Sequence, residues 1–264
     1  MAEGARALGL RIFSAAVLAT AALLATFIGG LAFLGLVIVF AGLVHREWFR
    51  VPDPARYRSA LPLLVGCWAG AVAFQAFDAQ TGLLVTAAGG LAGAMLAIRA
   101  GHSAFMALAG AVYIAAPSLI FLHIRAVGLE PVIFLFVVVW ITDTGAFAAG
   151  RLIGGPKLWP SVSPKKTWSG AIGGAVTGVG AGVAVAAIGG HPGVSIATVA
   201  AVSLALSVAG QLGDLSESAW KRHFNVKDTG GIIPGHGGVM DRLDSLLFAA
   251  PVLAVLLPSG GGAS

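Results

Sequence analysis

Charged residues are scarce in this chain: Lys, Arg, Asp and Glu make up 10% of its 264 residues. An average soluble domain carries about 25% charged residues, so the scarcity argues against an ordinary soluble domain. The sequence instead holds 58% hydrophobic residues and 38 glycines. Apolar runs long enough to cross a bilayer recur along the chain, which predicts a single transmembrane domain over residues 1–264.

The chain also has only one cysteine and no continuous basic stripe. Cys67 is that cysteine, so an intramolecular disulfide is excluded, and its place in an apolar run is typical of a small buried residue. The net charge of +5 is distributed over short loops. This pattern argues against nucleic acid as a partner and favours anionic lipid and phosphate.

The apolar stretches predict an all-α integral membrane protein, a polytopic bundle of about nine transmembrane helices. The Gly29–Gly30 pair separates the first two stretches, for which one long pass, a re-entrant pair and two tight helices are all open. We favour two helices because Leu10 to Val44 is too long for one crossing. Residues 1–125 are predicted to be supporting helices, and residues 131–258 to supply catalytic helices and loops. The approximate limits of the nine are 10–28, 30–45, 60–76, 82–99, 103–122, 131–149, 170–188, 194–213 and 244–258.

The basic residues predict the orientation of the bundle. With nine crossings, every Lys and Arg except Arg125 lies in the N-terminus or in a loop after an even-numbered helix. The positive-inside rule places the N-terminus and those loops in the cytoplasm. The first apolar run, preceded by Arg6 and Arg11, is interpreted as a retained anchor. We therefore expect a multi-pass protein of a bacterial-type inner (plasma) membrane, with its active site facing the cytoplasm.

Residues 213–244 concentrate charge between hydrophobic runs, and charge near a membrane is costly unless it pairs, binds ions or lines a wet cavity. If the eighth helix continues past its apolar part, Asp214, Glu217, Ser218 and Lys221 share one face. Glu217 and Lys221 then form either a structural ion pair or part of a site. Asp214, at the membrane edge, is the better candidate to hold a cation.

A glycine-rich stretch, residues 229–238, follows Lys227 and Asp228. Glycines allow consecutive N–H groups to converge on a phosphate, although such a stretch is also typical of a flexible link. His236, between glycines, is either an ordinary loop residue or a donor to a phosphate oxygen. Asp241 and Asp244 are three residues apart, so on a helix both can point toward one ion, with a solvated cap as the alternative for Asp244.

A second group of polar residues surrounds the sixth predicted span. Asp143 lies inside the apolar run, where a carboxylate is expensive and indicates function. Lys165 and Lys166 follow in the next loop, close in sequence to the hydroxyls of Ser163 and Thr167. These lysines either bind acidic groups or only fix the topology.

At these residues the chain closely resembles the phosphatidate cytidylyltransferases, also called CDP-diglyceride synthases. Upstream elements of the family pattern appear as Asp143, Gly150–Arg151 and the run 163–167. The resemblance is strong over residues 142–244 and only hydropathic before that, and it departs at Trp220, usually aliphatic or Phe, and at Ser169, commonly Glu. The C-terminal part of the family pattern is matched at Ser218, Lys221, Arg222, Lys227, Asp228, His236, Gly237, Gly238, Asp241, Arg242 and Asp244.

The resemblance implies transfer of the cytidylyl group of CTP to phosphatidic acid, giving CDP-diacylglycerol and pyrophosphate by metal-assisted in-line attack of the lipid phosphate. It implies a pair of metal ions, at least one of them Mg²⁺, with Asp143, Asp214, Asp241 and Asp244 as ligands. The implied catalytic residues are Asp214, Lys221, Arg222, Lys227, Asp228, His236, Asp241 and Arg242. The implied substrate-binding residues are Ser163, Lys165, Lys166, Thr167, Ser218, Gly237 and Gly238.

The expected partners are CTP, phosphatidic acid and the lipid bilayer, and the choice between a monomer and a homodimer is open. Two related activities compete: a CTP-dependent lipid kinase and a cytidylyltransferase for another lipid phosphate. A secondary transporter is a more remote alternative, because the hydropathy has no paired, inverted halves.

Overall fold

The computed structural model describes residues 2–189, 194–233 and 237–257, and the side chains from residue 9 onward except those of residues 11 and 12. Within these residues the chain forms nine α-helices, one 3₁₀ helix and one antiparallel hairpin. The helices are α1 (Ala2–Ile28), α2 (Gly30–Arg50), α3 (Leu61–Ala76), α4 (Ala79–Arg99), α5 (Ala104–Val127), α6 (Leu129–Leu152), α7 (Trp168–Gly189), α8 (Ile196–His223) and α9 (Met240–Leu256), with the 3₁₀ helix at Tyr57–Ala60 and the strands β1 (Lys157–Trp159) and β2 (Ser163–Thr167).

The prediction of a helical, polytopic membrane protein is confirmed. Among the described residues, seven helices are long and apolar enough to cross a membrane: α2, α3 with its preceding 3₁₀ turn, and α4 to α8. The apolar part of α1 is shorter, at Phe13–Ile28, and α9 has 17 residues. The hairpin adds a small β element that hydropathy did not predict, with Lys157 opposite Thr167 and Trp159 opposite Ser163.

The chain divides into two compact units. The first comprises residues up to Ala126 together with Val226–Leu243, and the second comprises Val127–Asn225 together with the residues from Asp244 onward. The first unit therefore holds α1 to α5 and the glycine-rich stretch, and the second holds α6 to α8 and the hairpin. The sequence did not indicate that residues 226–243 would pack with the N-terminal helices. The single transmembrane domain stays a prediction.

Glycines bring helices of the first unit into close contact. A Cβ atom on Gly66 would collide with the backbone of Gly89, and one on Gly93 would collide with the backbone of Leu63. Small residues at such positions allow α3 and α4 to approach closely, as is common between membrane helices. The predicted break between the first two helices is confirmed at Gly29, which has a φ of 68°.

In the second unit, α6 packs against α7 in the same manner, since a Cβ on Gly174 would meet the Thr142 carbonyl oxygen at 2.8 Å. Helix α8 has 28 residues, so it is about 42 Å long at a rise of about 1.5 Å per residue. A bilayer core is only about 30 Å thick. The apolar part ends near Gly213, and the last turns of α8 carry the charged residues.

Candidate active site

Helix α8 continues through residues 214–221, as the one-face prediction requires. Glu217 Oε2 lies 3.4 Å from Lys221 Nζ, and their side chains are 1% and 12% exposed. Ser218 Oγ approaches Asp214 Oδ1 at 3.5 Å, near the long limit for a hydrogen bond. One helical face thus carries two carboxylates and a lysine.

The hairpin supplies a second lysine to this face. Lys166, in β2, forms an ion pair with Asp214, and both side chains are only partly exposed. Arg222 Nε, one helical position beyond Lys221, donates to the Val162 carbonyl oxygen at 3.3 Å. Two contacts therefore connect the hairpin to the charged end of α8.

Two further carboxylates join the group from neighbouring helices. Asp143 of α6 interacts electrostatically with Asp244, Asp214 and Lys166 and is hydrogen-bonded to the Ser245 side chain. Asp244 is buried and interacts with Asp214, Glu217 and Lys221. We call this set the carboxylate–lysine cluster; its members are Asp143, Lys166, Asp214, Glu217, Lys221 and Asp244.

The cluster has the donor chemistry that suits Mg²⁺. Four carboxylates lie near two lysines, and closely spaced acidic groups repel one another unless a cation or a proton compensates their charge. In the described residues, no three His, Cys, Asp or Glu side chains form a ready-made metal cage. Mg²⁺ does not require one, since it is usually bound through one or two carboxylates, water and substrate phosphates. The residues present therefore fit the ion.

Hydroxyl groups of the hairpin also have structural partners. Thr167 is buried, and its Oγ accepts a hydrogen bond from Gly170 N at 3.1 Å, the geometry of a helix N-cap for α7. Ser169 Oγ bonds Thr167 Oγ at 3.0 Å and donates to the Gly154 carbonyl oxygen. Ser169, where the family pattern commonly has Glu, thus holds the loop before the hairpin. Substrate binding by Thr167 stays a prediction.

In the first unit, Asp241 accepts hydrogen bonds from both ends of the glycine-rich stretch. Its Oδ2 accepts hydrogen bonds from Thr229 N at 2.9 Å, Thr229 Oγ at 3.0 Å and Gly238 N at 2.8 Å. Asp241 is 8% exposed. One oxygen of this predicted metal ligand is therefore used to fix the backbone on both sides of the glycines.

Glu47 of α2 is a polar residue of this region that the sequence reasoning missed. It is 1% exposed and accepts hydrogen bonds from Thr229 Oγ, Val239 N and Met240 N. The predicted second span ended at residue 45, before Glu47. A signal was present, because Glu47 is the only acidic residue between Glu3 and Asp53 and lies three residues after a long apolar run that ends at Val44.

The remaining predicted residues of the first unit are more accessible. Lys227, Asp228 and Arg242 are exposed, and Gly237 is partly buried. Gly237 has a φ of 86°, which a side chain would strain. His236 lies outside the described residues. The structure brings Lys227, Asp228, Gly237, Gly238, Asp241 and Arg242 into one unit and Asp143, Ser163, Lys165, Lys166, Thr167, Asp214, Ser218, Lys221, Arg222 and Asp244 into the other.

Comparison with known proteins gives one family. The model of the cytidylyltransferase family matches residues 9–259 of this chain. The phosphatidate cytidylyltransferase of Staphylococcus saprophyticus is 47% identical over 133 residues, which is 50% of this chain and 51% of that protein. The phosphatidate cytidylyltransferase of Brucella suis is 52% identical over 126 residues, which is 48% of this chain and 46% of that protein. The match thus spans about half the length of each of these curated relatives.

Proposed function

We propose that this chain, which belongs to the cytidylyltransferase family, transfers the cytidylyl group of CTP to phosphatidic acid and releases CDP-diacylglycerol and pyrophosphate. Relatives named phosphatidate cytidylyltransferase, at 47% and 52% identity, support this choice of substrates. The structural observation that carries the proposal is the carboxylate–lysine cluster, because joining two polyanions requires cations more than it requires a base.

The reaction explains why the cluster has these residue types. An oxygen of the lipid phosphate is already anionic, so it attacks the α-phosphorus of CTP without a general base. A new phosphorus–oxygen bond forms as the bond from the α-phosphorus to the β-phosphate bridging oxygen breaks, and pyrophosphate leaves with the electron pair. Catalysis of this kind depends on positioning and on stabilising charge. Lys166 and Lys221 supply positive charge at the cluster.

Asp214, Asp143 and Asp244 would hold Mg²⁺, because their oxygens are the hard ligands that this ion prefers. Such an ion would neutralise phosphate charge and polarise the phosphorus under attack. Lys166, which pairs with Asp214, would exchange that carboxylate for a substrate phosphate. The pairing of Asp241 with Asp214 as joint metal ligands stays a prediction, as does the number of ions.

The glycine-rich stretch requires a different interpretation from a simple phosphate cradle. The N–H groups of Gly238, Val239 and Met240 donate to Asp241 and Glu47, so these three amides already have acceptors within the protein. We propose that this region presents exposed groups such as Lys227 and Arg242 to the nucleotide or lipid phosphate, while carboxylates hold the backbone at Thr229 and at residues 238–240.

We further propose nine crossings with the N-terminus and the cluster on the cytoplasmic side of a bacterial inner membrane. The helix boundaries support this arrangement, because nearly all basic residues after α1 lie in the loops after α2, α6 and α8 or in the helix ends next to the loops after α2, α4, α6 and α8, whereas Arg125 lies near the end of α5. CTP is a cytoplasmic nucleotide, so the orientation agrees with the proposed reaction.

Labelled nucleotide tests the proposal. Purified protein in detergent micelles with Mg²⁺ is given phosphatidic acid and CTP labelled at either the α- or the γ-phosphate. We expect the α-label in the lipid and the γ-label in pyrophosphate. The γ-label in the lipid would instead identify a kinase, and transfer to an isoprenoid phosphate but not to phosphatidic acid would identify another lipid substrate. Solute accumulation in vesicles without any transfer would identify a transporter.

A further inference from the structure

We propose that Glu47 is a positioning residue that holds Thr229 and the start of α9 in their working conformation. Its Oε2 accepts from Thr229 Oγ at 2.8 Å and from Met240 N at 2.8 Å, and its Oε1 accepts from Val239 N at 2.9 Å. The expected effect of Glu47 on turnover rests on the proposed function, whereas its positioning of the backbone does not.

The contact of Glu47 with α9 is a helix cap supplied from a distant part of the sequence. The first N–H groups of a helix have no intrahelical acceptor. Two of them, at Val239 and Met240, donate to one carboxylate that lies 192 and 193 residues away in sequence. A negative charge at this end also matches the positive end of the helix dipole. Glu47 therefore sets where α9 begins and how it is held.

Thr229 connects Glu47 to Asp241. Its hydroxyl lies 2.8 Å from Glu47 Oε2 and 3.0 Å from Asp241 Oδ2, and a hydroxyl has a single proton to donate. The two carboxylates therefore share one donor, and a change at either one alters the hydrogen bonding of the other. Asp241 is a predicted catalytic residue, so Glu47 acts on the reaction through Thr229 and the α9 backbone.

Two glycines of the stretch are explained by this carboxylate. A Cβ atom on Gly230 would lie 2.8 Å from Glu47 Oε1, and one on Gly238 would lie 2.5 Å from Glu47 Oε2. Gly231, between them in sequence, has open space around the same position. At Gly230 and Gly238, the missing side chain makes room for Glu47.

Hydrogen exchange of the 264-residue chain in micelles, without substrates, tests the positioning. Glu47→Gln replaces an acceptor oxygen with an NH₂ group, which leaves at least one of the three donors without its partner. We expect the amides of residues 238–240 to exchange about tenfold faster or more than in the wild type. Asp53→Asn is the matched control, because Asp53 also accepts two backbone N–H groups, from Ala55 and Arg56, but at an exposed turn. It should leave exchange at residues 238–240 unchanged.

Turnover with CTP and phosphatidic acid supplies the second measurement. We expect Glu47→Gln to lower kcat by about ten- to a hundredfold while KM for CTP changes less than kcat. If Glu47→Gln does not fold, Glu47→Asp replaces it, since the shorter side chain keeps the charge but cannot reach all three donors. Wild-type exchange at residues 238–240, or a wild-type kcat per folded molecule, in the variant that folds would overturn the proposal. Faster exchange in the variant, together with a wild-type protein that does not use these substrates, would reject only the proposed function.

Discussion

Lys166 of the hairpin and Asp214 of α8 form an ion pair that joins two segments 48 residues apart in sequence. Both residues were predicted to act in the site, but from separate motifs. With side chains 27% and 36% exposed, the pair contributes only about 1 kcal/mol or less to stability. The pair therefore matters less for stability than for holding a positive and a negative charge next to each other.

Removal of the Lys166 side chain should affect turnover more than folding. Lys166→Ala is expected to reduce kcat/KM by at least about tenfold, which corresponds to loss of one charged contact, with little change in the midpoint of thermal unfolding. The measurement is pyrophosphate release from CTP with phosphatidic acid. Lys157→Ala is the control, because Lys157 is exposed in the same hairpin. Equal turnover in the two variants would contradict a role for Lys166.

The buried Glu217–Lys221 pair should matter for stability. Glu217→Ala leaves the Lys221 ammonium with less compensation in a buried setting, and breaking such a pair costs about 3–5 kcal/mol. Thermal unfolding in micelles should show a large fall in midpoint. Asp53→Ala breaks the exposed pair with Arg56, whose N–O distance is 3.6 Å, and should change stability by about 1 kcal/mol or less. If both variants unfold at the same temperature, the Glu217 pair is not a stabilising one.

Two glycines of one stretch should respond differently to a methyl group. In Gly238→Ala the new Cβ would collide with Thr229 Oγ and lie 2.5 Å from Glu47 Oε2, whereas Gly231→Ala meets nothing within 4 Å. We expect overpacking of about 1–3 kcal/mol and a turnover loss of about tenfold or more in Gly238→Ala. Gly231→Ala should keep wild-type stability and turnover. Tolerance of alanine at residue 238 would show that the stretch is looser than its hydrogen bonds indicate.

Asp241→Ala should abolish cytidylyl transfer while the protein still inserts and folds. The substitution removes the acceptor of three hydrogen bonds, from Thr229 N, Thr229 Oγ and Gly238 N, together with a predicted metal ligand. Asp241→Asn separates the two effects, because its amide oxygen keeps part of the hydrogen bonding but lacks the charge. Near-normal turnover by Asp241→Ala with Mg²⁺ present would reject the catalytic assignment.

The sequence predicted the helices well because hydropathy depends on local composition. The continuation of α8 past Gly213 and the break at Gly29 both agree with patterns visible in the chain. The hairpin at residues 157–167 was not predicted, because its five-residue second strand is polar and contains Pro164, and its first strand has three residues. Short strands of this kind carry almost no periodic signal.

The role of Glu47 was beyond the reach of sequence reasoning for a different reason. Its partners lie more than 180 residues away, at separations of 182 to 193, and no spacing rule connects residues so distant. The glycine-rich stretch looked like a phosphate-binding element because glycine permits any close approach of the backbone. Only the structure identifies carboxylates of the same chain as the groups that approach it.

Each of the two units is built from two separate segments of the sequence, which limits where the chain can be cut. A cut between Ala126 and Val127 follows the first unit boundary, yet the C-terminal fragment would carry away residues 226–243, which pack with the N-terminal helices. The fragment that contains most of the family motifs would then lack the carboxylate that caps α9. Transplantation of the motif-bearing half onto another set of membrane helices should therefore give an inactive chimera unless α2 is transferred with it.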